Sequence, residues 1–444
     1  MGTGLGHYIP FVAYLGFWVM IVLSLAGRSL WGFYYMIPFL PYRTMRDHFL
    51  DWPLGANMLT ILVVAVIIGA LMRHKRLPKS KLYSIWFIFA AYLYLSMWFG
   101  AILGNAPAPL WLDNANFVTW KDYMVIPLVF VAAGLVIEDR KAVRTVIILT
   151  AICLLFIDRS SLLENLTRTW TTFDEDKRGG GPLGYGSNQT AAFLAQFGMF
   201  FWGFAMFLKR KKLKLLSYAI AAVTLFAAMY TFSRASYIAV LFSVLVLAVL
   251  KDRKLLVVLG VFLVTWQAIV PAPVRERVSM TENSNGQLEA SAQERVDLWT
   301  DAEHSILHSP ILGTGFASFQ FGQHAANLKD THNWYVKVLV ETGLVGFLIA
   351  LFLLQQMLAA SYRLFKRSRD PLYQGLGLGV LLATCSCIVA NIFGDRWTYI
   401  EITALLWVLV AATVRANQFV ELGTAAEMPE AVERAAKNPY LAYR

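Results

Sequence analysis

Apolar runs close to the length of a bilayer crossing recur along this chain, separated by short polar breaks. They fall near residues 9–27, 54–72, 82–104, 120–137, 143–157, 188–208, 213–232, 235–250, 255–270, 334–360, 374–394 and 397–415. About 20 apolar residues in a helix cover the hydrocarbon core. The pattern therefore predicts an all-α polytopic membrane protein with about twelve transmembrane helices. A shorter aromatic run near 30–40 is closed by Pro38 and Pro41; its Trp and Tyr predict a helix lying in the membrane interface. One long polar stretch, 271–333, breaks the rhythm and predicts a large loop containing short helices. Within it, Gln293-Glu294-Arg295-Val296-Asp297-Leu298-Trp299 opens a helical pattern, and Pro310-Ile311-Leu312-Gly313-Thr314-Gly315-Phe316 ends it in a turn. Residues 1–270 then carry spans one to nine, 271–333 the loop, 334–415 the last three spans and 416–444 a polar, solvated tail.

Composition agrees with the pattern. Hydrophobic residues make up 58% and charged residues 15%, against about 25% charged in a soluble domain. The net charge of +11 does not point to nucleic acid, because the basic residues sit in short clusters between spans. Arg73-His74-Lys75-Arg76, Arg140-Lys141, Lys209-Arg210-Lys211-Lys212, Lys251-Asp252-Arg253-Lys254 and the stretch 363–369 alternate with basic-poor or mixed-charge connections. Placing all five on the cytoplasmic side puts both termini there and the polar loop on the opposite face. The first run lacks a basic flank and reads as a retained span rather than a signal peptide. Cys153, Cys385 and Cys387 all lie in apolar runs, so neither a disulfide nor a metal site is expected. No repeat of 20–50 residues recurs, and the charges stand at span ends. Both features weigh against a transporter or lipid flippase, the reading from another class.

The polar loop and its borders gather Arg275, Arg277, Arg295, Asp297, Asp301, Glu303, His304, His308, His324, Asp330, His332 and Glu341. A loop between apolar spans is where a membrane enzyme keeps its chemistry. Phe232-Ser233-Arg234-Ala235-Ser236 joins two apolar runs, and an arginine there is costly unless it faces water or an anion. Its planar fork suits phosphate oxygens. His332 stands just before a span, next to Asn333; a histidine so placed can take a proton from a hydroxyl near neutral pH. His304 and His308 have the i, i+4 spacing of a zinc pair but no evident third ligand. The glycine-rich run 179–186 lacks the Gly-Lys-Ser/Thr of a nucleotide loop and is either a flexible lid or a plain linker.

Three ordered motifs resemble those of the O-antigen ligase and O-antigen polymerase superfamily of bacterial membrane glycosyltransferases. They are Ser233-Arg234-Ala235, then Arg295-x-x-x-Trp299 with Pro310-x-x-Gly313-x-Gly315, then His332-Asn333 with Glu341-x-Gly343-x-x-Gly346. The resemblance implies a glycosyltransferase C-like fold in the bacterial inner membrane, its active site facing the periplasm. It implies a donor glycan on undecaprenyl diphosphate and a hydroxyl acceptor: lipid A core for a ligase, another lipid-linked repeat for a polymerase, a protein for an O-oligosaccharyltransferase. By it, Arg234 and Arg295 hold the diphosphate and His332 acts as base or positioner. Arg275, Arg277, Trp299, Asn333 and Glu341 are counted as candidate substrate-binding residues, although the family pattern assigns no role to Arg275 or Arg277. No cofactor and no metal is expected, and the partners are the donor, the acceptor and membrane lipids.

Overall fold

A computed structural model describes residues 8–103, 106–111, 113–169, 173–174, 178–280, 290–321 and 331–437; at 103, 168–169, 290–295, 321 and 424–437 it gives the backbone alone. Among the described residues every regular element is helical. The α-helices are α1 (Ile9–Leu23), α2 (Ser29–Met36), α3 (Arg43–Asp47), α4 (Met58–Met72), α5 (Lys81–Leu103), α6 (Ala115–Val136), α7 (Arg140–Thr169) and α8 (Ser187–Ala205). Then come α9 (Lys211–Met229), α10 (Arg234–Leu250), α11 (Lys254–Ile269), α12 (Ala272–Ser279), α13 (Ala290–His308), α14 (Trp334–Arg367), α15 (Pro371–Ala390) and α16 (Ile400–Lys437).

Each of the twelve apolar runs falls on one of these helices. Among the described residues, nine segments are long and apolar enough to cross a membrane, and α11 with α12, bent by 106°, makes a tenth if the pair is one span. The protein is thus a multi-pass membrane protein. The 17-residue α10 is shorter, and α8 opens on the polar run Ser187-Asn188-Gln189-Thr190. The segment expected in the interface is α2, which follows a break at Gly27 (φ 90°). It turns back onto α1: the Tyr35 hydroxyl donates to the Ala13 carbonyl at 2.8 Å, and Phe33, Met36 and Ile37 are fully buried. The last predicted span continues as helix through Lys437, with Arg415 still buried and donating from Nε to the Gly134 carbonyl at 2.7 Å.

Helices α8, α15 and α16 form the buried centre, whereas α11 buries no residue at all. Close approach at the centre comes from small residues. Gly375 and Gly379, one turn apart on α15, lie against the backbone carbonyls of Phe204 and Phe200 on α8. Lipid tails are as apolar as side chains, so tight packing rather than water exclusion holds such helices together.

The two glycine motifs of the sequence are halves of one joint. Helix α14 is interrupted at Gly343 (φ 61°, ψ −168°), which frees carbonyls that an unbroken helix would satisfy. The loop after α13 fills them. The Thr314 amide donates to the Val340 carbonyl at 2.8 Å, the Gly315 amide to Glu341 at 2.8 Å, and the Leu344 amide returns a bond to Pro310 at 2.9 Å. Helix α5 completes the joint: the Tyr92 hydroxyl donates to the Thr342 carbonyl at 2.8 Å, and Ser96 Oγ donates to Glu341 O at 3.1 Å while accepting from the Phe316 amide at 3.0 Å. A Cβ on Gly315 (φ 106°) would stand 2.4 Å from Gly100 Cα, and one on Gly343 2.2 Å from the Ile311 carbonyl oxygen.

Gly315→Ala therefore combines a left-handed backbone with a backbone clash, a loss of at least roughly 1–3 kcal/mol. Gly260, on α11 with nothing within 4 Å, is the control, because alanine there gains about 0.5–1 kcal/mol of helix propensity. Thermal unfolding in detergent is expected to show a lower midpoint for Gly315→Ala and an equal or higher one for Gly260→Ala; equal midpoints for both would refute the joint as a stability element.

Candidate active site

Arg234 is the first residue of α10, after a tight turn in which buried Phe232 takes a left-handed φ of 56°. Its Nη1 donates to the Met280 carbonyl at 2.8 Å, tying the turn to the end of α12. Two further guanidinium groups share this corner. Arg178 donates to the Thr231 carbonyl from Nε at 3.1 Å and from Nη2 at 3.0 Å, and to Asn188 Oδ1 at 2.9 Å. Arg277 is buried, its guanidinium 4.9 Å from the centre of the Phe173 ring, which in turn meets Phe232 edge-on. Glu276 brings a carboxylate to the same corner, 3.4 Å from the Phe173 amide. Arg275 faces the other way, exposed, and donates to the Gln267 carbonyl at 2.7 Å near the end of α11. Beside Arg234 opens an apolar cavity of about 550 Å³ lined by Leu225, Met229, Tyr237, Trp266 and Val270 among others.

His332 lies in the short connection into α14, half-buried and left-handed at φ 51°. A non-glycine residue holds that conformation only when its surroundings impose it. Trp299 of α13 donates from Nε1 to the Thr331 carbonyl at 2.9 Å, and Thr331 Oγ1 donates to the Asn333 carbonyl at 2.8 Å. The Asn333 side-chain oxygen then caps α14, accepting from the amides of Tyr335 at 3.0 Å and Val336 at 3.3 Å. Trp299 and Asn333, predicted to touch substrate, thus engage polar atoms in shaping the His332 turn. Glu341 is buried in the α14 joint, where its carbonyl accepts from Gly315 and Ser96. The backbone of Arg295 runs within α13, but its side chain lies outside the described residues, as do His324 and Asp330 entirely. His304 and His308 are exposed on α13, and no group of three metal-ligating side chains occurs among the described residues.

Several contributors carried little sequence signal. The glycine-rich connector that follows Arg178 is held along its length: the Gly179 amide donates to Asn165 Oδ1 at 3.3 Å, Gly181 to Glu164 Oε2 at 2.9 Å, and Thr44 Oγ1 to the Pro182 carbonyl at 3.1 Å. It is a pinned connector, not a loose lid. Asp395 is buried between α15 and α16 and accepts from Lys337 Nζ at 2.9 Å, the amides of Trp397 at 3.0 Å and Thr398 at 3.1 Å, and the Thr398 hydroxyl. The one available clue was a lysine in an apolar run and an aspartate in a turn between two spans, depths at which charges seldom stand alone.

Burial pushes the Asp395 carboxyl up, but the Lys337 ammonium and the Thr398 donors outweigh it and hold the group below its ordinary value. A carboxyl depressed on folding stabilises above its unfolded pKa of about 3.9, and that stabilisation is lost as pH falls through the folded value. Asp395→Asn is expected to cost about 3–5 kcal/mol at neutral pH, as when one partner of a buried pair is removed. In detergent melts, the gap between wild type and variant should close only below about pH 4. A gap that is constant from pH 7 to pH 3 would show that the pair contributes no charge-dependent stability.

Residues 219–351 match a family model described as O-antigen ligase. No curated protein matches the chain. The matched stretch takes in the Arg234 turn, α13, the joint in α14 and the His332 turn. The match, over less than a third of the chain, supports the resemblance of its ordered motifs to those of the O-antigen ligase and polymerase superfamily.

Proposed function

We propose that the protein is a bacterial inner-membrane glycosyltransferase that moves a glycan from undecaprenyl diphosphate to a hydroxyl acceptor on the periplasmic face, with lipid A core as the acceptor. The observation that carries this reading is Arg234 on the wall of an apolar cavity. A polyisoprenyl diphosphate needs both parts, an apolar wall for the chain and a guanidinium fork for the phosphates. Transfer breaks the bond between the anomeric carbon and the diphosphate. Negative charge grows on a leaving group that Arg234 and Arg295 neutralise. His332 takes the proton from the acceptor hydroxyl, and the Trp299–Thr331 bond and the Asn333 cap position it. Neutralisation by arginine asks for no metal. A polymerase or a protein O-oligosaccharyltransferase shares this donor end and differs in the acceptor alone.

Purified protein with undecaprenyl-diphosphate glycan is the test, with lipid A core, a lipid-linked repeat and an acceptor protein offered in parallel. Transfer to lipid A core is expected, undiminished by EDTA. Arg234→Ala is expected to lower the rate by about 10²–10³-fold and His332→Ala by about 10²–10⁴-fold. A His332→Ala rate within about twofold of wild type would remove the base assignment. Movement of glycan across liposomes without transfer to any acceptor would make the protein a transporter.

A further inference from the structure

A second cavity, of about 370 Å³, differs in kind from the one at Arg234. Its charged lining residues are Arg43, Arg46 and Lys337 against Asp47, Asp122 and Glu401, three of each sign. The charges are also matched locally. Arg43 stands 3.7 Å from Asp47, Arg46 is bonded to Glu401, Lys337 to Asp395 at 2.9 Å, and Lys121 to Asp122 at 3.2 Å. Such a wall has no surplus cation for a diphosphate. It offers instead many directional donors and acceptors, the charged ones each facing an opposite charge. Tyr185 and Tyr399 add aromatic surface, their ring centres 4.6 Å apart, with the Arg43 guanidinium 4.4 Å from the centre of the Tyr185 ring. Burial and the nearby Glu401 carboxylate hold the Tyr185 hydroxyl protonated far above its ordinary range, so it remains a donor.

We propose that this cavity is a binding site for one ring of a neutral saccharide. A sugar presents hydroxyls that both donate and accept and a face of C–H groups that packs on aromatic rings. Its volume lies within the range of small-ligand sites, about 300–1,000 Å³. The connector described above ties it to the Arg234 corner, with Arg178 at one end and Tyr185 at the other. Seven extended residues reach at most about 25 Å, the scale of a short oligosaccharide. Lys337 also places the cavity on the first turns of the helix that His332 leads into. The sugar belongs to the donor glycan or to the acceptor; this part rests on the transfer reading, while the preference for a neutral saccharide does not.

The test uses the full chain in lipid nanodiscs, free of sugar-based detergent, and saturation-transfer NMR. The probes are lactose, di-N-acetylchitobiose and glucose 6-phosphate. Thr119→Trp fills the cavity from an exposed lining position, and Tyr185→Ala removes aromatic surface. Saturable binding of a neutral disaccharide is expected, at least tenfold weaker in both variants and unchanged in Arg234→Ala. No neutral probe binding to wild type, equal binding in Thr119→Trp, or a preference for the phosphorylated sugar that persists in Arg234→Ala and is lost in Thr119→Trp would each overturn the proposal. In the transfer assay, a KM raised for the acceptor alone by Thr119→Trp assigns the ring to the acceptor, and one raised for the donor alone assigns it to the donor. Unchanged KM values for both would overturn the site's part in transfer. If no transfer occurs at all but the saccharide binding pattern holds, the transfer reading fails and the site stands.

Discussion

The structure depends on how an interrupted helix is kept satisfied where water is scarce. Breaking α14 at Gly343 leaves backbone carbonyls that would cost several kcal/mol each if they faced lipid. The amides of Thr314 and Gly315 and the hydroxyls of Tyr92 and Ser96 take those carbonyls up. The loop after α13 is therefore held by main-chain bonds to the bundle rather than by side-chain contacts alone. That anchorage brings α13 alongside α14, which lets Trp299 reach the Thr331 carbonyl and set the turn that carries His332. A binding group on a loop becomes as well placed as one on a helix when its loop is anchored in this way.

The sequence made some of this legible and hid the rest for identifiable reasons. Apolar runs located every long helix except α13, which lies in the polar loop, because the bilayer imposes a length on composition. The motif Pro310-x-x-Gly313-x-Gly315 and the motif Glu341-x-Gly343-x-x-Gly346 were both visible, but not that each is the steric complement of the other. Positive φ is a property of one residue, whereas a 2.4 Å approach involves two. Arg178 borders a glycine run that reads as a linker, and nothing local shows that it holds the Thr231 carbonyl. Asn333 beside His332 reads as a substrate contact; the structure adds that its side-chain oxygen caps α14, a role that asparagine before an apolar helix takes by ordinary helix chemistry. Lys337 and Asp395 are distant in sequence, and a pairing of that range leaves no trace in either neighbourhood.

The two cavities treat charge in opposite ways. Around Arg234, guanidinium groups gather beside an apolar wall, an arrangement suited to an anion with a long hydrocarbon tail. In the second cavity each cation already has its own carboxylate, so selectivity there must come from geometry rather than from net charge. Discriminating a phosphorylated from an uncharged ligand then requires no moving part.

The pairing of Lys337 with Asp395 also orders events during synthesis. The two residues are 58 apart in the chain. At roughly 5–20 residues per second, the partner of Lys337 emerges roughly 3–12 s after Lys337 itself. Throughout that interval the Lys337 ammonium at the leading end of α14 lacks the Asp395 carboxylate, and a lysine so placed can reach water or lipid phosphates while the helix behind it inserts. Closure of this ion pair comes after α15 has been made, when the turn between the last two helices arrives. A chain truncated before that turn would keep its apolar helices but leave the first turn of α14 hydrated.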